Sequence, residues 1–164
     1  MTEQDKNLLF QDLSARFPYG VIVRHADHLV DSDGNYTGQF WYKRGYLYDI
    51  CRIDRVTTTI IESEGSDEEG YEHICDLERS LPYLRSKSSM TDTEKEEYQR
   101  LSYEEEREEF EFGEWVTRVY YHDTIESIDW LNAHHFDYRG LIPKGLAIEV
   151  NESNNPYKEY ETRK

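Results

Sequence analysis

Hydrophobic positions in this chain change their period along its length, and those changes predict its elements. Leu9, Leu13 and Phe17 recur at four-residue spacing with Leu8 and Phe10 beside them, which predicts an amphipathic helix over residues 3–16. Pro18, within Phe17-Pro18-Tyr19-Gly20, ends it, because the residue before a proline is driven out of the helical region. Val21, Ile22 and Val23 then predict a strand, and Asp33-Gly34 a tight turn that needs positive φ. Residues 39–43, 46–54 and 57–62 are rich in β-branched and aromatic side chains and predict three further strands, broken at Gly45 and Arg55. A loop over 63–70, a short strand over 72–77 and an extended link at Leu81-Pro82-Tyr83-Leu84 complete the first half.

Thr91 and Glu94 have the spacing of a capping box, so a helix is expected from there to at least Arg100. Its continuation through Glu104, Glu105, Glu106, Glu108 and Glu109 has almost no apolar face and is expected as an exposed or frayed helical end. Residues 115–121 alternate again, with Trp115, Thr117, Val119 and Tyr121 on one side of a strand. Asp123 and Glu126 form a weaker capping pattern, followed by a helix with Ile125, Ile128, Leu131 and His135 along one face. Asp137 opens a loop or short helix, Leu146-Ala147-Ile148 closes the body, and no internal repeat is present. The expectation is one α+β domain over 1–150. It is an antiparallel meander packed with an N-terminal helix and two later ones, followed by a flexible polar tail over 151–164.

Composition adds a charge pattern. The 164 residues carry a net charge of −16, with 14% aromatics including fourteen tyrosines, too aromatic a mixture for a disordered chain. Residues 62–78 hold eight acidic and no basic side chains, and residues 91–114 hold eleven acidic and three basic ones, so the rest is neutral. Two acidic excursions on a neutral body repel phosphate backbones and attract basic protein surfaces. Expected partners are therefore proteins, with a basic surface a natural match; direct nucleic-acid and membrane binding are not expected. No stretch approaches the roughly twenty apolar residues of a membrane span. The polar start, Met1 to Lys6, lacks the pattern of a signal peptide, and Cys51 and Cys75 form no close pair. The setting expected is cytoplasmic.

Three blocks bear a family likeness: DLSARFPYGVI over 12–22, LPYLRSKSSMTDTEKEEY over 81–98 and SIDWLNAHHFDYRGLIPKGLA over 127–147. Together they resemble a family of uncharacterised proteins from gut anaerobic bacteria, their prophages and other mobile elements. Members often carry an acidic residue where Pro143 stands here. The resemblance implies a phage or mobile-element context and no chemistry.

Candidate chemistry is sparse. His25, Asp27, His28, Asp31 and Asp33 supply metal-type ligands in a short span, but a spacing of three puts the two histidines on opposite strand faces. The Asp31 to Asn35 stretch is no calcium loop, since Tyr36 and Tyr42 hold the places of the needed glycine and glutamate. His134 and His135 point about 100° apart on a helix. His122 and Asp123 lack the frame of a serine triad, and no glycine-rich phosphate loop exists. No catalytic residue, metal or cofactor is expected. Residues 40–48 interleave aromatic and basic side chains, as single-strand binders do, but the acidity favours a packed sheet there. Trp130, His134, His135, Asp137, Tyr138 and Arg139 form a candidate interaction surface, and Glu104, Glu105, Glu106, Glu108 and Glu109 a candidate acidic one. Three functions are expected in turn: a non-enzymatic interaction protein, an acidic nucleic-acid mimic acting on a host defence or DNA-handling protein, or an enzyme whose site assembles from distant His and Asp residues.

Overall fold

A computed structural model describes residues 1–52, 55–63 and 72–161. The fold is α+β. Helix α1 (Glu3–Arg16) begins at a capping box in which Thr2 and Asp5 bond reciprocally, and it packs on a mixed sheet. Its inward residues are Leu9, Asp12, Leu13 and Arg16, whereas Phe17, expected on that stripe, is 42% exposed.

Strands β1 (Ile22–Val30), β2 (Tyr36–Arg52), β3 (Arg55–Ser63) and β4 (Glu72–Asp76) form the expected antiparallel meander. Gly34 takes φ 82° in the first turn, as its sequence required. Gly45 does not divide β2. It pairs with Val23 on one side and Ile60 on the other, and two flanking ladders carry the glycine through. Most of the acidic loop expected over 63–70 lies outside the described residues.

The segment expected as an extended link is β5 (Ser80–Ser86), and it joins the sheet. It runs antiparallel to β1, with Pro82 opposite Val23, and then pairs in parallel with β9 (Ile148–Glu149) and β8 (Phe136–Asp137). Alternation sends Leu84 to the core under α1 and Tyr83 to the opposite face. On that opposite face Ile22, Tyr83 and Val150 are covered by Tyr157 of α4 (Pro156–Glu161). Residues 156 and 157 thus depart from the flexible tail expected over 151–164. The Tyr157 hydroxyl donates to the Tyr83 carbonyl at 2.8 Å and accepts from the Ile22 amide at 3.3 Å.

Helix α2 (Asp92–Leu101) starts at the Thr91–Glu94 capping box and ends at Ser102. The next element is a strand, β6 (Tyr103–Glu111), which corrects the helical extension expected over Glu104 to Glu109. Glutamate favours helix, but without an apolar face that helix has nothing to bury. Pairing along its whole length with β7 (Glu114–His122), rich in β-branched and aromatic residues, decides the conformation. Helix α3 (Ile125–Ala133) is capped one residue later than expected, by Thr124 and Ser127. Its buried residues are Ser127, Trp130, Leu131 and Asn132; Ile125 is 77% exposed. Met90, Trp130, Leu131 and Phe136 make a separate core between α2, α3 and β8. Among the described residues, no helix is long and apolar enough to cross a membrane.

Candidate functional site

The β6–β7 hairpin is a two-stranded sheet that pairs with no other described strand. A lone hairpin is marginally stable in water, because one pair of strands has no layer to bury a face against. Only one of its two faces answers this with contacts of its own.

Residues directly opposite in an antiparallel pair share a face. One face carries Tyr103, Glu105, Arg107, Glu109 and Glu111 against His122, Tyr120, Arg118, Val116 and Glu114. It is knitted together by its own charges. Arg107 donates to both oxygens of Glu105 at 2.8 Å, and His122 Nε2 lies 2.8 Å from Glu105 Oε2. Arg118 reaches Glu109 at 3.2 Å and Glu111 at 2.6 Å, and the Tyr120 hydroxyl donates to Glu109 at 2.6 Å. The Arg107 hydrogen bonds, then His122, hold the Glu105 carboxyl down at about 2. Hydrogen bonding to Glu109 pushes Tyr120 up. Arg107 and Arg118 sit directly opposite each other, and these diagonal glutamates separate the two cations.

The other face carries Glu104, Glu106, Glu108 and Phe110 against Tyr121, Val119, Thr117 and Trp115. Glu104, Glu106 and Glu108 form a line along one strand, and none of their carboxylates has a hydrogen bond or ion pair among the described residues. Beside them Trp115, 72% exposed, meets Phe110 at 5.4 Å between ring centres near the tip, and Val119 and Tyr121 continue the row toward the base of the hairpin. This face has a row of unneutralised carboxylates next to an uncovered apolar stripe.

The tip repeats the theme. Phe112 and Gly113 both take positive φ, 52° and 92°, the pair of left-handed residues that a two-residue hairpin turn demands. Asparagine or glycine meets that demand cheaply; a bulky side chain there is strained. Phe112 is nonetheless there, entirely in solvent.

The structure separates the residues expected to act together. Of the acidic set, Glu105 and Glu109 are engaged by arginines, while Glu104, Glu106 and Glu108 are not. The block from Trp130 to Arg139 is mostly turned inward. Trp130 is a core residue stacked between His134 at 4.1 Å and Phe136 at 5.6 Å. Asp137 accepts from the amides of Leu141 and Ile142 and pins the following turn. Arg139 approaches Asp12 at 3.6 Å and packs on the Tyr138 ring. His135, at φ 57° and outside α3, stacks on Tyr157 at 4.1 Å, and burial lowers its pKa to about 3.

The remaining histidines are dispersed. His25 is buried on the α1 side of the sheet, His28 lies on the opposite sheet face between Tyr36 and Phe40, and His122 is on the hairpin. Asp31 accepts from the amides of Asp33 and Asn35 and closes the β1–β2 turn. Among the described residues, no three His, Cys, Asp or Glu side chains gather where they could hold a metal ion.

Phe110, Phe112, Trp115, Val119 and Tyr121 were missed as site residues. The available clue was the alternation of residues 115–121 beside Phe112-Gly113, which together spell a hairpin. No protein-family model, curated protein or solved structure matches the chain.

Proposed function

We propose that this is a non-enzymatic interaction protein of phage or mobile-element origin, working in the bacterial cytoplasm, that docks on a protein partner through the β6–β7 hairpin. The partner offers a strip of cations beside an apolar ridge. One observation carries the reading. A hairpin whose first face satisfies its own charges leaves the second with three unpaired carboxylates and an aromatic row in water. Buried apolar area supplies affinity in such a contact, and the carboxylates supply register and partner choice.

The same features weigh against nucleic-acid mimicry. Glu104, Glu106 and Glu108 repeat every second residue, about 6.8 Å apart on a strand, whereas one strand of a duplex carries a charge per roughly 3.4 Å of axis. Arginines neutralise the neighbouring carboxylates, and the adjoining row is aromatic.

A β-hairpin peptide that presents lysines along one strand and valines along the other, on the same face, tests the reading by calorimetry. Binding is expected to weaken moderately with salt and to fall at least tenfold in Trp115→Ala. It should persist in Val116→Thr, which alters the same strand on the self-paired face. Binding that disappears with salt and ignores Trp115→Ala would support mimicry; no binding at any salt would reject the docking role.

A further inference from the structure

A second surface of this chain is left uncovered by the described residues and has the opposite character. On the sheet face away from α1, the β1–β2 register sets Arg24 opposite Arg44, Ala26 opposite Tyr42 and His28 opposite Phe40. Helix α4 covers only the near end of this face, around Ile22, Tyr46 and Tyr83. Beyond it the surface is aromatic; Arg24 and Arg79 lie over its rings, and Arg44 stands opposite Glu62 of β3. Arg24 lies 4.7 Å over the Tyr42 ring and has no carboxylate partner among the described residues. Arg79 approaches the Phe40 ring at 5.8 Å and is only loosely held by Asp76, at 3.9 Å. His28 sits between Tyr36 and Phe40, and Tyr36, Phe40 and Tyr42 are all exposed.

We infer that this basic aromatic face receives the β6–β7 hairpin of a second copy of the chain, so that the protein associates head to tail. The inference rests on the docking role proposed above and names its partner. Both surfaces are stretches of antiparallel pair, so they can stack as sheet on sheet about 10 Å apart. Laid that way, the row of Glu104, Glu106 and Glu108 runs along β1, where Arg24 stands at one end, and the row of Trp115, Val119 and Tyr121 lies on Tyr42 and Phe40 of β2.

Pairing two hairpins with each other does worse. A two-fold arrangement sets each carboxylate row against either the other carboxylate row or the apolar row, and leaves all six glutamates without cations. Single-stranded nucleic acid would find rings to stack on, but it meets the field of a chain whose net charge is −16. A heterologous contact leaves one hairpin and one basic face free at the ends, so it grows into rings or open chains. A face two strands wide and nine residues long, about 30 Å, lies below the standard interface size, so the association is weak and concentration-dependent.

Charge exchange tests this on the full chain by sedimentation velocity at low salt. Wild type is expected to gain mass with concentration and to lose it as salt rises. Arg24→Glu, and separately Glu104→Arg with Glu106→Arg and Glu108→Arg, should each stay monomeric with unchanged far-ultraviolet circular dichroism. An equimolar mixture of the two should associate again, because the unaltered hairpin of the Arg24→Glu chain meets the unaltered basic face of the other. Three outcomes overturn the inference: a wild type monomeric at every concentration, variants that associate like wild type, or a mixture that stays monomeric. A monomeric wild type that binds an oligothymidylate through Arg24 also overturns it, by assigning the face to nucleic acid. If wild type stays monomeric yet binds the lysine–valine peptide through Trp115, the docking role stands and only self-association falls.

Discussion

Asp12 and Arg16, one turn apart on α1, form a two-pronged ion pair with neither side chain exposed. Arg16 Nε donates to Oδ2 at 2.7 Å and Nη2 to Oδ1 at 3.1 Å. Nη2 also donates to the Phe136 carbonyl at 2.7 Å, and the guanidinium lies 5.4 Å over the Tyr138 ring. The pair thereby ties the first helix to β8, 120 residues later in the chain.

Asp12→Ala should therefore cost about 3 to 5 kcal/mol in urea unfolding, because it strands a buried guanidinium. Replacing both partners, Asp12→Leu with Arg16→Met, removes the orphaned charge as well as the bond and should lie much closer to wild type. A small loss in the single variant would show that Arg16 reaches solvent or another anion.

This pair also marks where sequence reading stops. Leu9 and Leu13 announced the buried face of α1, but an aspartate and an arginine four apart look like any surface pair on a helix. Only the tertiary position of Phe136 and Tyr138 shows that they are inside. The β1 to β4 meander was legible because alternation and turn chemistry act locally, and Thr91 with Glu94 marked α2 for the same reason. Strand β5 was hidden because Pro82 counts against a strand, while its partners in β1, β8 and β9 are scattered along the chain. Strand β6 was misread because glutamate's own preference is helical and the residues that override it lie in β7. Charge located the candidate site, but it could not tell which glutamates share a face, since that depends on register.

His135 predicts an acid sensitivity. Burial, then the nearby Arg16, His134 and Arg85, lower its pKa from 6.5 to about 3, so it is neutral when folded and takes up a proton on unfolding. Stability from this group is full above 6.5 and is lost as pH falls from 6.5 toward 3, at up to about 1.4 kcal/mol per pH unit for one whole proton. His135→Asn, compatible with the left-handed backbone, should flatten that slope relative to wild type in unfolding measured across pH. An unchanged slope would mean that the imidazole is protonated in the fold.

Tyr157 should behave as a core residue. Tyr157→Phe keeps the packing but leaves the Tyr83 carbonyl and Ile22 amide without their partner, a loss of about 1 to 2 kcal/mol. Tyr157→Ala opens a cavity against Ile22 and Val150 as well, and should cost about 3 to 5 kcal/mol. Both are read by chemical denaturation, and neutrality of the alanine variant would refute the docked position of α4.

Phe112 sets stability against function at the hairpin tip. At φ 52° it holds a conformation that asparagine adopts with less strain, so Phe112→Asn should firm up the turn by about 1 kcal/mol. That is roughly a fivefold rise in hydrogen-exchange protection for the amides of β6 and β7 where they open locally. A residue kept only for the fold would be improved by this change without other consequence. Phe112 is instead wholly in solvent at the end of the docking face, and a side chain there contributes energy only when a partner covers it. The same variant should therefore bind the lysine–valine peptide several-fold more weakly while its hairpin becomes harder to open. Tighter protection with undiminished binding would remove Phe112 from the contact, and weaker protection would show that its ring steadies the turn.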